Sequence, residues 1–278
     1  MRRLLLLLLS VPAAAPALER LPDSALAKVS GRDGMSFNLS GFAIGGNAEL
    51  RYTTGDNSSG FAISSFSASR SDNTAAPFAD PYRLDVLKGA PGMADIITLA
   101  RPANAAGLEV WQAAFDFSVR AGGRDAYGGC VMLKDLSLFG GALQWSTPQA
   151  DEGLAFGYSL RATLGSLTLQ PNGRDAPGEA MVLSGLRIGA ANDGAEPVAP
   201  WKVADITSQP GIFNARTDAA GNPSLHIGIG WPDAQGAPSG TLQISNIGFR
   251  SDVGGAVDLG SSRIGAIQLQ YLDIKFRQ

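Results

Sequence analysis

The chain has 278 residues, 45% hydrophobic and 17% charged, with a formal charge of −3 and a pI near 5.2. That acidic balance, with no clustered basic face, excludes a nucleic-acid partner, and the lone Cys130 excludes an internal disulfide. A chain of this length buries roughly three quarters of its unfolded surface, so core packing and hydrogen bonds can hold it without a covalent staple.

Residues 1–17 read as a secretory signal peptide, with Arg2 and Arg3 as the positive region, Leu4 to Val11 as the apolar run and Ala15-Pro16-Ala17 as a small-residue cleavage pattern. The run is far shorter than the roughly 20 apolar residues of a spanning helix. Residues 18–278 are expected to form a single all-β domain. A short helical cap precedes it at about 23–30: Asp23 suits the N-cap, Leu26 and Val29 share a face, and Gly31 can take the left-handed conformation that ends a helix.

From Gly34 onward the sequence alternates as strands do, between glycine-rich turns. One phrase recurs: a glycine, two apolar residues spaced by two, a two-residue interruption, and two more apolar residues spaced by two. It appears as GMSFNLSGFAI from Gly34, GCVMLKDLSL from Gly129, GTLQISNIGF from Gly240 and GAIQLQYLDI from Gly265, and more loosely from Ser159 and Gly178. Side chains alternate faces along a strand, so the interruption would turn the second apolar pair away from the first. A β-bulge or sharp bend at Ser40-Gly41, Lys134-Asp135, Ser184-Gly185, Ser245-Asn246 and Gln270-Tyr271 restores the common face. The copies have no constant interval, which disfavours a solenoid and points to an antiparallel β-sandwich or groove with bulged strands. Asn172-Gly173 is the best single hairpin signal.

Motifs of chemistry are sparse. His226, the only histidine, alternates with Leu225, Ile227, Ile229 and Trp231 and reads as an ordinary strand residue. Without a second histidine, zinc sites built on paired imidazoles do not arise. Cys130 sits beside Val131 and Met132 as a small buried hydrophobe. Neither a nucleophile elbow nor a Walker loop is present, and no catalytic, cofactor or metal residue is assigned. Acidic loop positions at Asp56, Asp72, Asp80, Asp193 and Asp218 offer calcium oxygen ligands, but Asp and Asn are also the ordinary residues of turns.

Leu21, Asp23, Leu26, Val29, Ser30, Gly31, Asp33 and Gly34, between a signal peptide and an alternating strand, form a motif that resembles the N-terminal region of the bacterial FilA-like pilus-system proteins. The resemblance covers about the first 30 residues after the signal. It implies a Gram-negative envelope or surface protein tied to a filament or adhesion system, partnered with other envelope or pilus-system proteins, and carries over no catalytic residue; a non-enzymatic role is the expectation from the missing chemistry motifs. Strand addition to a free edge is one mode of partnering, with Leu225 to Trp231 a candidate unless it is simply an interior strand, the plainer reading. Two other classes stay open. An outer-membrane β-barrel would explain the alternating end with Phe276, and a glycan- or lipid-binding β-module would use Trp111, Trp145, Trp201 and Trp231, which otherwise serve as packing.

Overall fold

The computed structural model describes residues 34–275, apart from 40, 72–79, 90, 149–152, 177, 193–195, 218–220, 222 and 232–235. The signal peptide, the cap over 23–30 and the motif residues from Leu21 to Asp33 lie outside the described residues.

Alternating side chains give twenty described strands, β1 to β20 along the chain, and every paired ladder is antiparallel. The first sheet runs β1 (Met35–Phe37), β5 (Tyr82–Leu87), β6 (Ile96–Ala100), β9 (Ala142–Ser146), β10 (Leu154–Leu160), β14 (Gly211–Thr217), β15 (Pro223–Ile229), β20 (Tyr271–Lys275), with β13 (Trp201–Ala204) also on β10. The second runs β18 (Gly255–Asp258), β17 (Asn246–Ser251), β12 (Ala180–Ala190), β11 (Ala162–Gln170), β8 (Arg124–Leu138), β7 (Trp111–Ala121), β4 (Gly60–Arg70), β2 (Ala43–Gly45). Beside that path, β3 (Leu50–Thr53) pairs β4, while β16 (Gly240–Ile244) pairs β12 and carries β19 (Ser262–Ile267). The expected all-β, antiparallel class is what the structure shows, and two sheets facing one another are consistent with a β-sandwich.

The sheets meet around Trp201, Val203, Ala204 and Ile229, with Phe156, Tyr158 and Trp231 from the same side and Ile188, Ala190 and Ile267 from the second sheet. Trp201 is only 4% exposed, and its indole N–H donates to the Pro238 carbonyl at 2.9 Å. The ring thus buries its apolar area without stranding its one donor.

The recurrent phrase resolves into two devices. In the second sheet it is a bulge. Leu133 and Leu136 of β8 pair with Ala113 and Trp111 of β7, so three steps on β8 face two on β7. Asp135 takes up the extra residue with φ 56°. The interruption then passes along the sheet, because Leu136, Leu164 and Leu186 form one cross-strand row while Leu133, Leu167 and Leu183 form the next. Gly185 sits in this seam with φ 60°, and Ser245 divides β16 from β17 at the same level. The remaining two copies are not bulges. The chain from β1 to β2 passes Ser40-Gly41, and the chain from β19 to β20 passes Gln270-Tyr271; in both cases it leaves one sheet for the other. A crossover does not return the second apolar pair to the same core, and Phe42 and Ile44 are accordingly exposed.

Candidate functional site: an open apolar edge

Because the bulge keeps the apolar residues on one face, the second sheet carries long cross-strand rows. One reads Phe115, Val131, Leu169, Met181, Phe249 and Val257 across β7, β8, β11, β12, β17 and β18. Its neighbour reads Ala113, Leu133, Leu167, Leu183 and Ile247, which exchanges backbone bonds with Leu259 and Gly260. Cover fades along these rows. Leu133, Leu167, Leu183 and Ile247 are half-buried, whereas Phe249, Val257 and Leu259 are 43%, 53% and 64% exposed.

The rows end at a free strand. β18 pairs only β17 and β19 pairs only β16, so among the described residues nothing pairs their outer side. Leu259, Gly260 and Ser261 join the two, making one edge from Gly255 to Ile267 with Gly260 at φ 80°. Its only charges are Asp258 and Arg263. Long, apolar, weakly charged edges are templates for pairing with another chain. The opposite end of the sheet is guarded differently: Arg51 on β3 is bonded to Glu49 at 2.6 Å and to Asp125 at 3.0 Å.

Leu225 to Trp231, a sequence candidate for strand addition, is not such an edge. β15 pairs β14 on one side and β20 on the other. An interior strand has no unpaired backbone groups to offer, so β15 cannot accept an added strand. His226 lies on this strand, buried.

Two polar nodes, one buried and one part-buried, lie away from this edge. Glu109, 2% exposed, joins the sheets: its Oε1 accepts from the Tyr82 hydroxyl of β5 and from the Trp111 indole N–H of β7, the latter at 2.7 Å. Asn104 pins the backbone of Glu109 by bonds at 3.0 Å in both directions. Glu109 Oε2 is buried and has no partner among the described residues. Burial, reinforced by Glu109, holds the Tyr82 phenol well above its ordinary range. On the polar face of the second sheet, Arg174 reaches from the β11–β12 connection to Asp116 at 3.1 Å, to Ser67 and to the Ser65 carbonyl. That connection contains Asn172-Gly173 as expected, with Gly173 at φ 95°. Cys130, fully buried beside this node, has its thiol pushed up by burial and by Asp116, which makes it a poor nucleophile.

Of the motif residues only Gly34 is described. It opens β1 so close to β5 that a side chain there would meet the Asp85 carboxyl group and lie 2.7 Å from the Leu84 carbonyl oxygen. Trp201 is buried and Trp111, Trp145 and Trp231 are half-buried, so the four do not build an exposed stacking platform. Asp56 is engaged by the Thr54 hydroxyl at 2.6 Å and by Ser58, bonds that lower its carboxyl to about 2. No three His, Cys, Asp or Glu side chains converge on a metal position among the described residues. Sequence reasoning missed the β18–β19 edge, whose signal is Val257-Asp258-Leu259-Gly260-Ser261-Ser262-Arg263-Ile264, in which an apolar residue beside an acid before the glycine is answered by a base beside an apolar residue after it.

No protein-family model matches the chain, and neither a curated protein nor a solved structure matches it. Fold and site together define an antiparallel all-β protein with an open apolar edge.

Proposed function

We propose that this is an exported, non-enzymatic protein of a Gram-negative envelope or surface, acting as a structural or assembly component of a pilus, filament or adhesion system by strand addition. The observation that carries the reading is the β18–β19 edge, open on its outer side and continuous with an apolar face that loses cover toward it. Main-chain bonds to such an edge supply affinity, and the alternating side chains supply register. The signal-peptide pattern and the motif from Leu21 to Gly34 support export and the filament setting. This reading needs no calcium; Asp56, one of the acidic loop positions, has its Oδ1 engaged by Thr54 and Ser58 of its own turn.

A barrel fits less well, since among the described residues neither sheet closes on itself. A glycan module is disfavoured by the packing of the tryptophans.

The test is fractionation of the full chain, with its own N-terminus, in a Gram-negative host. The wild type is expected in material sheared from the surface, and a variant with Val257→Lys and Ile264→Lys in the soluble periplasmic fraction. Retention of both in alkali-washed outer membrane, or an unprocessed chain in the cytoplasm, would refute the proposal.

A further inference from the structure

The β18–β19 edge is its own antiparallel complement, and we propose that its partner is a second copy of this chain, related by a two-fold axis at Gly260-Ser261. The inference deepens the strand-addition reading by naming the occupant of that edge.

The bulge at Leu259-Gly260 decides the geometry. It places Val257 and Leu259 on the apolar face before the axis, and Ser262 and Ile264 on the same face after it, because Val257 lies opposite Phe249 and Ile264 opposite Leu242. Asp258 and Arg263 lie on the other face, opposite Gly248 and Gln243. A two-fold axis perpendicular to the sheet preserves faces. In the register centred between Gly260 and Ser261, Val257 of one copy meets Ile264 of the other, Leu259 meets Ser262, and Asp258 meets Arg263. Each contact occurs twice. A shift by one residue would set apolar side chains against charges, so this register is singled out.

The four groups are available. Val257 and Ile264 are 53% and 52% exposed, and Asp258 and Arg263 are both exposed. Asp258 accepts from the Asn246 amide at 2.8 Å and Arg263 donates to the Asn192 carbonyl at 3.1 Å. Neither has an opposite charge beside it among the described residues. Charges on an edge ordinarily guard it against pairing. These two guard it against other sequences while complementing a copy of themselves, which selects a second copy over an unrelated strand. Opposite charges directly across an antiparallel pair stabilise it, and like charges destabilise it.

Sedimentation velocity of the purified full chain over a hundredfold range of concentration tests the proposal. The wild type is expected to dimerise. Asp258→Arg and Arg263→Asp each set like charges together twice and should weaken the dimer at least about tenfold, while the double variant D258R/R263D should regain wild-type affinity. Both substitutions are at exposed positions, and a circular-dichroism melt confirms the fold of each variant. A wild type monomeric throughout, or a dimer indifferent to both single swaps, would overturn the inference. The fractionation above is independent of this result: a monomer found in the sheared fraction ends the two-fold pairing alone, and a dimer retained in the cytoplasm ends the surface role alone.

Discussion

Replacing Glu109 by Ala should be among the most destabilising single changes in the described structure. The substitution strips two donors, the buried Tyr82 hydroxyl and the half-buried Trp111 indole N–H, of the oxygen they share. A hydrogen bond to a carboxylate contributes about 1.5–3 kcal/mol, and each stranded donor costs about 1–3 kcal/mol. These overlap, so the expected loss is about 3–5 kcal/mol, or roughly 6–10 °C in Tm for a chain of this size. Glu109→Gln is a control of nearly equal shape. Its amide oxygen still accepts both bonds, while its NH2 points where Oε2 now lacks a partner, so the loss should be only about 1–2 kcal/mol. The decisive assay is a double-mutant cycle with Tyr82→Phe, followed by urea unfolding. Removing the hydroxyl first should make Glu109→Ala milder by about 1–2 kcal/mol. Additive effects in the cycle, or a Glu109→Ala variant within 0.5 kcal/mol of wild type, would refute the claim that this carboxyl group ties the two sheets together.

Gly185→Val should cost about 2 kcal/mol or more in urea unfolding, because a β-branched residue resists φ 60° and its Cβ would press on the Ser245 side chain, while Gly185→Asn tolerates the φ but meets the same side chain and should recover only part of that loss. Partial burial alone would raise the Asp205 carboxyl, but bonds from Lys202, Thr207 and Ser208 together hold it well below its ordinary range. A depressed folded-state pKa stabilises above the unfolded value of about 3.9 and is lost as pH falls through the folded value. The stability gap between wild type and Asp205→Asn should therefore be full at pH 6 and narrow progressively below about pH 4, in urea melts across that range. Cys130, fully buried, should resist a thiol reagent in the native protein and react in step with unfolding as urea is added.

The strand pattern and the bulge were legible because both are local. Leu133 and Leu136 sit three apart among residues spaced by two, and only an extra residue can return them to one face. Gly185 was readable for the same reason, being the residue that accepts positive φ without strain. What the same phrase does at Gln270-Tyr271 was not readable. Whether a break stays in one sheet or crosses to the other is set by the partner strands, β16 for β19 and β15 for β20, and not by the break itself. The status of an edge is non-local in the same way. β15 and β19 are both short, apolar and weakly charged, yet one is flanked on both sides and the other on one. Glu109 was invisible to sequence reasoning because its partner Tyr82 lies 27 residues earlier and in the other sheet.

Hydrogen–deuterium exchange at two protein concentrations reads directly whether the outer side of β18–β19 is a pairing edge. At low concentration, amides on the outer side of Val257 to Ile264 should exchange rapidly, while those of β15, paired on both sides, stay protected. At high concentration the β18–β19 amides should become protected and β15 should not change. Protection of β18–β19 that is high at both concentrations in a chain that sediments as a monomer would mean that the chain covers this edge itself. Rapid exchange at both would mean that no second copy pairs there, and either result would contradict the self-pairing edge.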